Sequence, residues 1–390
     1  MKQSPSRHIY LDYNATSPML PGVLKCLQEG FSAIVGNPSS PHQGGRSARD
    51  LLEQSRKNIA ETLGVTPQEI LFTSGGSEGN NTLLRQFQYK PTPFHIITSS
   101  IEHPSIHSTV QYLAGKGLGN YSTVAVSCSG SVAPESLKDL VRENTVLLSV
   151  MLANNETGTI QPCRELAEFS RNHHFLFHAD CVQGAGKMTL NLKDSGMDYA
   201  TFSAHKIGGP PGIGLLYVRN GVSLEPLITG GKQERSRRAG TENSVMAAGF
   251  AEALSWHVEH QPELDTKWRE FKRQMIDAFQ KIDGFFMNGN VEQCLSNTLN
   301  FGFEGLSAES LLIRLDLDGI SVSTGSACSS GALEASHVLL AMGLSRKQAK
   351  SCLRVSMGWN TTSEDITVFI ERLLFHARKL YEKRGTFQKL

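Results

Sequence analysis

From about residue 58 the chain alternates short apolar runs rich in β-branched and aromatic residues with longer stretches in which apolar positions recur at helical spacing. The runs "EILFTS" near 70, "FHIITSS" near 95, "TVLLSVML" near 146, "HFLFHAD" near 175, "DYATFSA" near 199 and "GIGLLYV" near 213 predict six strands. They are continuously apolar rather than alternating, as strands covered on both faces are. Helical segments such as "CRELAEFSRNH" lie between them, so the order predicts an α/β fold with a largely parallel sheet. In such sheets ligands bind outside the carboxyl ends of the strands. A charged helical stretch from about 255 to 282 leads out of this unit, and a new pattern follows. It runs strand "SNTLNFGF", helix "SAESLLIRLDLD", strand "GISVST", helix, strand "CLRVSMG", which predicts a smaller second domain. The last helix begins at "TTSEDITVFIERLL", where Thr362 or Ser363 can cap and Glu364 and Asp365 favour the positive helix end.

Composition changes this picture little. The 390 residues are 39% hydrophobic, enough for a sizeable core without metals or disulfides. Lys+Arg 38 against Asp+Glu 37 gives a net charge of +1, so no broad field draws the chain to nucleic acid or an anionic membrane. The start "MKQSPSRHIYLDYNATS" has no apolar signal region and the longest apolar runs are strand-sized, which predicts a cytoplasmic protein. Seven scattered cysteines without a C-x-x-C argue against a disulfide framework or zinc ribbon.

Four features fall just after predicted strands. In "LFTSGGSEGNN" a strand runs into Gly75, Gly76 and Ser77 before a helix. Small residues there leave backbone N–H groups and a hydroxyl free to hold a phosphate, although a plain helix-start turn reads equally from them. In "SSIEHPSIH" His103 follows a strand and Pro104 suits the first helical position. His103 and His107 lack further ligands in a recognised spacing, so no metal is predicted. In "FHADCVQGAGK" Asp180 ends an apolar strand with Gln183 close behind. A carboxylate there needs a cation or donor, which a protonated heterocyclic nitrogen supplies; a helix cap is the alternative. In "TFSAHKIGGPPGIG" Ser203, His205 and Lys206 precede a Gly/Pro stretch, where a lysine alone reads as a solvated loop residue. Together, a phosphate cradle, an aromatic ring, an anion and an amine at strand carboxyl ends are the parts that hold pyridoxal phosphate as an imine.

These stretches, with "YLDYNATSP", "GNPSSPHQGGR", "NNETGTIQP", "RRAGTEN" and "STGSACSSGALEASHVLLAMG", resemble in order the motifs of cysteine desulfurases of the NifS/IscS type, within the class V aminotransferases. The similarity runs from Tyr10 to about Gly358. It implies the aspartate aminotransferase-like, fold type I architecture of pyridoxal-phosphate enzymes: a large domain over 15–258 on a mainly parallel seven-stranded sheet, and a small α+β domain from 1–14 and 259–390. Carried over by position, it implies that Lys206 forms the imine, His103 stacks on the ring and assists proton transfer, and Asp180 pairs with the ring nitrogen, with Gln183 and Asn155 at the ring's side. Gly76, Ser77, Ser203 and His205 would bind the phosphate, with Thr241 from the other subunit of a homodimer, and Arg354 and Asn37 would hold the substrate carboxylate.

Cys328 is the discriminating residue. The Gly, Ser and Ala around it offer little bulk for a core and suit a mobile loop, about 321–335, which resembles the long loop of one group of these enzymes. The implied reaction takes sulfur from L-cysteine to a Cys328 persulfide, leaves L-alanine, and passes the sulfur to an acceptor such as an iron–sulfur scaffold. Iron–sulfur assembly, tRNA thiolation and DNA sulfur modification all begin with that persulfide. An aminotransferase or selenocysteine lyase, and an inactive sulfur-transfer scaffold, are the alternative readings. Cys181 stands where related motifs carry a small non-thiol residue, either oxidisable or filling space.

Overall fold

A computed structural model describes residues 8–324 and 334–383. Its strands are β1 (Ile9–Tyr10), β2 (Ile70–Thr73), β3 (Phe94–Ser99), β4 (Gly119–Val124), β5 (Thr145–Ser149), β6 (Leu176–Asp180), β7 (Tyr199–Ser203), β8 (Gly214–Val218), β9 (Phe285–Asn288), β10 (Thr298–Phe303), β11 (Ile320–Ser321) and β12 (Cys352–Ser356). A seven-stranded sheet has the order β2-β8-β7-β6-β5-β3-β4. Each of the six predicted strands is present in it. The pairs from β4 through β7 are parallel, whereas β8 is antiparallel to both its neighbours. The short 204–213 connection explains the reversal: a parallel neighbour needs a crossover of a dozen or more residues. The strand missing from the prediction is β4, an edge strand whose middle residues are partly exposed and polar.

Adjacent residues in these apolar runs serve opposite faces of the sheet. Phe72, Leu148 and Leu215 join one buried cluster with Leu52, Ile59 and Phe250, while Leu71, Leu147 and Leu216 join another with Leu83, Ile106 and Val110. Such double coverage is why the runs do not alternate. A second sheet, order β12-β10-β9, is antiparallel. Its Phe301, Phe303 and Val355 pack with Trp268, Met275 and Phe279 and with Ile366, Phe369 and Leu373 of the final helix, Ser363–Lys383. The helix Ser244–Phe279 therefore starts earlier than its charge pattern suggests, contributing Val245 and Phe250 to the large sheet and Trp268 and Phe279 to the small one. In the final helix Thr362 is the cap: its Oγ1 accepts from the Asp365 N–H at 3.2 Å, and Asp365 Oδ2 accepts from the Thr362 N–H at 2.9 Å. No helix of the described residues is long and apolar enough to cross a membrane.

One segment ties the two sheets together. β1 pairs parallel with β11, and the chain then passes Ser356, whose main-chain oxygen accepts from the Tyr13 N–H at 3.2 Å. It continues to the turn after β7, where Ser17 N–H donates to His205 O and Leu20 N–H to Gly208 O, each at 2.9 Å. Gly358 is required beside it, because a Cβ there would lie 1.8 Å from the Tyr13 ring.

Residues 234–236 are three consecutive non-glycine residues with positive φ. Buried Arg56 holds this strained segment, its Nη1 and Nη2 donating to Glu234 at 2.7 and 2.8 Å, while the Phe72 N–H also donates to Glu234 at 3.2 Å. Glu234→Ala leaves the guanidinium buried with Glu53 as its remaining carboxylate. It is expected to destabilise the protein by about 3 kcal/mol, read as a lower urea midpoint at unchanged slope.

His178 lies between β5 and β7, bonded to Ser149 Oγ at 2.9 Å and Thr201 Oγ1 at 3.0 Å. Burial pushes its ring from 6.5 down to about 3. The unfolded state thus binds more protons between those two values, so this residue's contribution to stability is present above pH 6.5 and is lost as pH falls through that window. At pH 5, unfolding of His178→Asn should take up about one proton fewer than unfolding of the wild type, measured as the pH slope of the unfolding free energy.

Candidate active site

β7 delivers its last residue, Ser203, into a single turn, Ala204–Ile207, that Gly208 ends with φ 71°. The left-handed backbone needs glycine, and Gly209 N–H closes on Ala204 O at 3.0 Å. Lys206 projects from this turn and its Nζ donates to the main-chain oxygens of Asn14 at 2.9 Å and Ala15 at 2.7 Å. The neighbouring His205 bonds through Nδ1 to Thr16 Oγ1 at 3.1 Å. Burial, then the charges of Lys206 and Lys187, push the His205 ring down to about 4.

Gly214 brings the glycine turn alongside, since a Cβ on it would fall 2.7 Å from Gly75 Cα. The helix Gly76–Arg85 starts there, and a Cβ on Gly76 would meet Val182 Cγ2 at 2.9 Å and Ser203 Cβ at 3.9 Å. Gly76 and Ser203 thus form one narrow cradle at a helix N-terminus, with Ser77 exposed beside it.

A polar chain crosses the floor of the site. Asp180, buried at the end of β6, accepts from the Val182 N–H at 3.0 Å and from Asn80 Nδ2 at 2.8 Å. Asn80 Nδ2 also donates to Ser105 Oγ at 2.8 Å, and Ser105 Oγ lies 2.8 Å from His103 Nδ1. Because the Ser105 N–H donates to that same Nδ1, the neutral ring carries its proton on Nε2. Burial lowers the His103 pKa, opposed by Asp180 and reinforced by Lys206 and His337. Asn80 Oδ1 is buried and has no partner among the described residues, an acceptor left over in this floor.

The wall beside Lys206 contains residues the sequence reading did not single out. Asn14 is its hub: its main-chain oxygen accepts from Lys206 and from Gln183 Nε2 at 3.0 Å, and its Nδ2 donates to Asn155 O at 3.1 Å and Thr298 Oγ1 at 2.9 Å. Lys187 donates to Gln183 Oε1 at 2.5 Å and Asn14 Oδ1 at 2.9 Å. Arg354 on β12, 3% exposed, donates through Nη2 to Asp12 Oδ1 at 2.6 Å and through Nη1 to Asn155 O at 3.0 Å. Its Nε is buried and has no partner among the described residues. The only signal for Asn14 and Lys187 was their presence in the quoted "YLDYNATSP" and "FHADCVQGAGK" stretches.

Three candidates stand apart from this group. Thr241 is exposed and lines a separate cavity with Thr73, Ser74, Gly212 and Arg238. Asn37 is exposed and its Oδ1 accepts locally from the Ser39 N–H at 2.8 Å. Cys328 lies outside the described residues. The segments flanking it are anchored in the site wall: Ser323 N–H donates to Arg354 O at 3.1 Å, and Ser336 Oγ to Glu156 Oε2 at 2.5 Å. Cys181 is fully buried with Sγ 3.9 Å from Met197 Sδ, and burial pushes its thiol pKa well up. It fills space in the core as a poor nucleophile.

Comparison with known proteins identifies the family. The aminotransferase class-V family matches residues 9–369. A protein named cysteine desulfurase IscS, from Dictyoglomus turgidum, is 38% identical over 94% of each chain. A solved NifS-like protein superposes with a TM-score of 0.89 at 35% identity, covering 95% of this chain and 99% of its own. A structure of SspA in complex with cysteine gives 0.80 at 33% identity over 90% and 98%. The chain belongs to the class-V aminotransferases, among the cysteine desulfurases of that family, enzymes that depend on pyridoxal phosphate.

Proposed function

We propose that the protein takes sulfur from L-cysteine, releasing L-alanine and leaving a persulfide on Cys328 that is passed to a sulfur acceptor. The observation that carries the reading is the convergence at one set of strand ends of Lys206, the Asp180–Asn80–Ser105–His103 chain and the Gly76–Ser203 cradle. The cysteine held by the related SspA structure supports the substrate.

The residues fit pyridoxal phosphate. The cradle that a side chain on Gly76 would fill suits a phosphate, with Ser77, Ser203 and His205 around it and Thr241 supplied by a second copy of the chain. Asp180 would hold the protonated ring nitrogen, and Gln183 and Asn155 would flank the ring. When bound, the cofactor supplies an electron sink for charge that develops at the substrate's α-carbon. Lys206 would hold the cofactor through its aldehyde carbon and would be the base positioned to take the substrate's α-proton. His103, neutral and protonated on Nε2, moves a proton at that atom. Arg354 Nε, unpartnered and buried, is the donor left to meet a substrate carboxylate, with Asn37 assisting. Cys328, as thiolate, attacks the substrate sulfur, so one C–S bond breaks and one S–S bond forms.

The remaining parts of the reading follow the same frame. A large domain over 15–258 and a small one from 1–14 and 259–390 are supported by separate apolar clusters, one spanning Leu20 to Leu254 and one joining Ile9 and Leu11 to Leu264–Ala377. A homodimer, an iron–sulfur scaffold or other acceptor and a cytoplasmic site of action belong to the proposal, the last supported by six free cysteines among the described residues.

With L-cysteine and a thiol reductant, the holoenzyme should yield alanine and sulfide in equal amounts. Cys328→Ala and Lys206→Ala should each lower both by at least about a hundredfold. Turnover that survives Cys328→Ala, or pyruvate in place of alanine, would instead indicate an aminotransferase or a lyase.

A further inference from the structure

The site holds a second amine that the mechanism leaves unused. Lys187 is 4% exposed, and its two hydrogen-bond acceptors, Gln183 Oε1 and Asn14 Oδ1, are neutral amide oxygens. Among the described residues no carboxylate lies within ion-pair distance of it. Burial, and then the nearby charges of Lys206 and Arg354, hold its ammonium well below the usual lysine range. Burying an amine with no counter-charge is costly, and a methionine or leucine would fill the same space without that cost.

What the amine imposes is direction. The oxygen and nitrogen of a side-chain amide are nearly the same size, so its hydrogen bonds alone decide which way it points. Lys187 Nζ donates to both amide oxygens, and as an ammonium it can only donate, so it draws those oxygens rather than the amide nitrogens towards itself. Gln183 Nε2 must then face away, where one N–H reaches the Asn14 main-chain oxygen that also receives Lys206 Nζ. Its second N–H remains for a ligand. Asn14 Oδ1 accepts from Lys187 and, at 3.3 Å, from Asn297 Nδ2, so Asn14 turns Nδ2 to Asn155 O and Thr298 Oγ1, tying the wall to β10 of the small sheet.

We propose that Lys187 is a positioning residue for the cofactor, fixing the amides of Gln183 and Asn14 in one orientation so that Gln183 presents an N–H to the cofactor held at Lys206. This rests on the reading that pyridoxal phosphate docks at Lys206. Lys187 acts through Gln183, so the two substitutions cannot have independent effects.

The test is the affinity of the full-length apoprotein for pyridoxal phosphate, read from the visible band, in Lys187→Met, Gln183→Leu and the double variant, with the melting temperature followed alongside. Each single change is expected to weaken binding by about tenfold or more, the size of a hydrogen bond to a charged or strongly polar group, and the double variant to be no weaker than the poorer single. Lys187→Gln, whose amide can offer either end and so imposes no direction, carries the same expectation if Lys187→Met does not yield folded protein. Lys187→Arg, which only donates, should keep most of the affinity. Unchanged affinity in Lys187→Met or Lys187→Gln, or a double variant whose loss is the product of the two single losses, would overturn the inference. A wild-type apoprotein that forms no visible band would overturn the reading beneath it, a failure distinguishable because it appears before any variant is compared.

Discussion

The structure depends on the seam where Lys206 meets the main-chain oxygens of Asn14 and Ala15. Both partners of that contact are themselves fixed. The lysine stands on a turn that Gly208 ends, and the segment carrying the two oxygens is pinned to β11 and Ser356 at one end and to His205 and Gly208 at the other. Backbone carbonyls cannot rotate away as a side-chain acceptor can, so the amine is presented at a defined place. The same segment belongs to the small-sheet cluster through Ile9 and Leu11 and to the large-sheet cluster through Leu20. The position of the Lys206 amine is thereby coupled to the relation of the two sheets.

The charge pattern of the site follows from this crowding. Lys206, Lys187 and Arg354 converge, while Asp180 and Asp12 are the carboxylates that contact the described site residues. Positive charge held under low exposure favours anionic ligands, and the candidate cofactor and substrate carry a phosphate and a carboxylate. Burial, reinforced in both cases by the charge of Lys206, lowers the His103 and His205 ring pKa values. A neutral imidazole whose Nδ1 is taken by Ser105 has one donor left, in one direction. In the proposed reading the cations and the histidines would have complementary roles, the first drawing anions in and the second supplying oriented protons.

How much of this was legible in the chain depended on the reach of each interaction. The central strands were readable because coverage on both faces leaves an unbroken apolar run. β4 was not, because an edge strand with a polar middle reads as loop. Lys206, Asp180 and His103 could be picked out since each lies at or shortly after the carboxyl end of a strand, which the carboxyl-end rule makes a place to look. Asn14 and Lys187 could not, because their partners are distant in sequence: Asn14 bonds across 342 residues to Ser356 and 284 to Thr298, and Lys187 across 173 to Asn14. The start of Ser244–Phe279 was hidden for another reason. Its first half is apolar on the face that meets the large sheet, so charge marked only the second half.

Arg354 shows why the seam bears on specificity as well as on presentation. Its terminal nitrogens are occupied by Asp12 and the Asn155 oxygen, and Asp12 lies on the same segment that supplies the carbonyls to Lys206. An arginine buried without a carboxylate would cost several kcal/mol in desolvation. Pairing with Asp12 removes most of that cost before any ligand arrives and fixes the plane of the guanidinium. In the proposed reading a substrate carboxylate would then meet an oriented Nε rather than a side chain that must first be ordered. Because the amine and the guanidinium take their bearings from neighbouring residues of one segment, their separation is set by the backbone from Asp12 to Ala15.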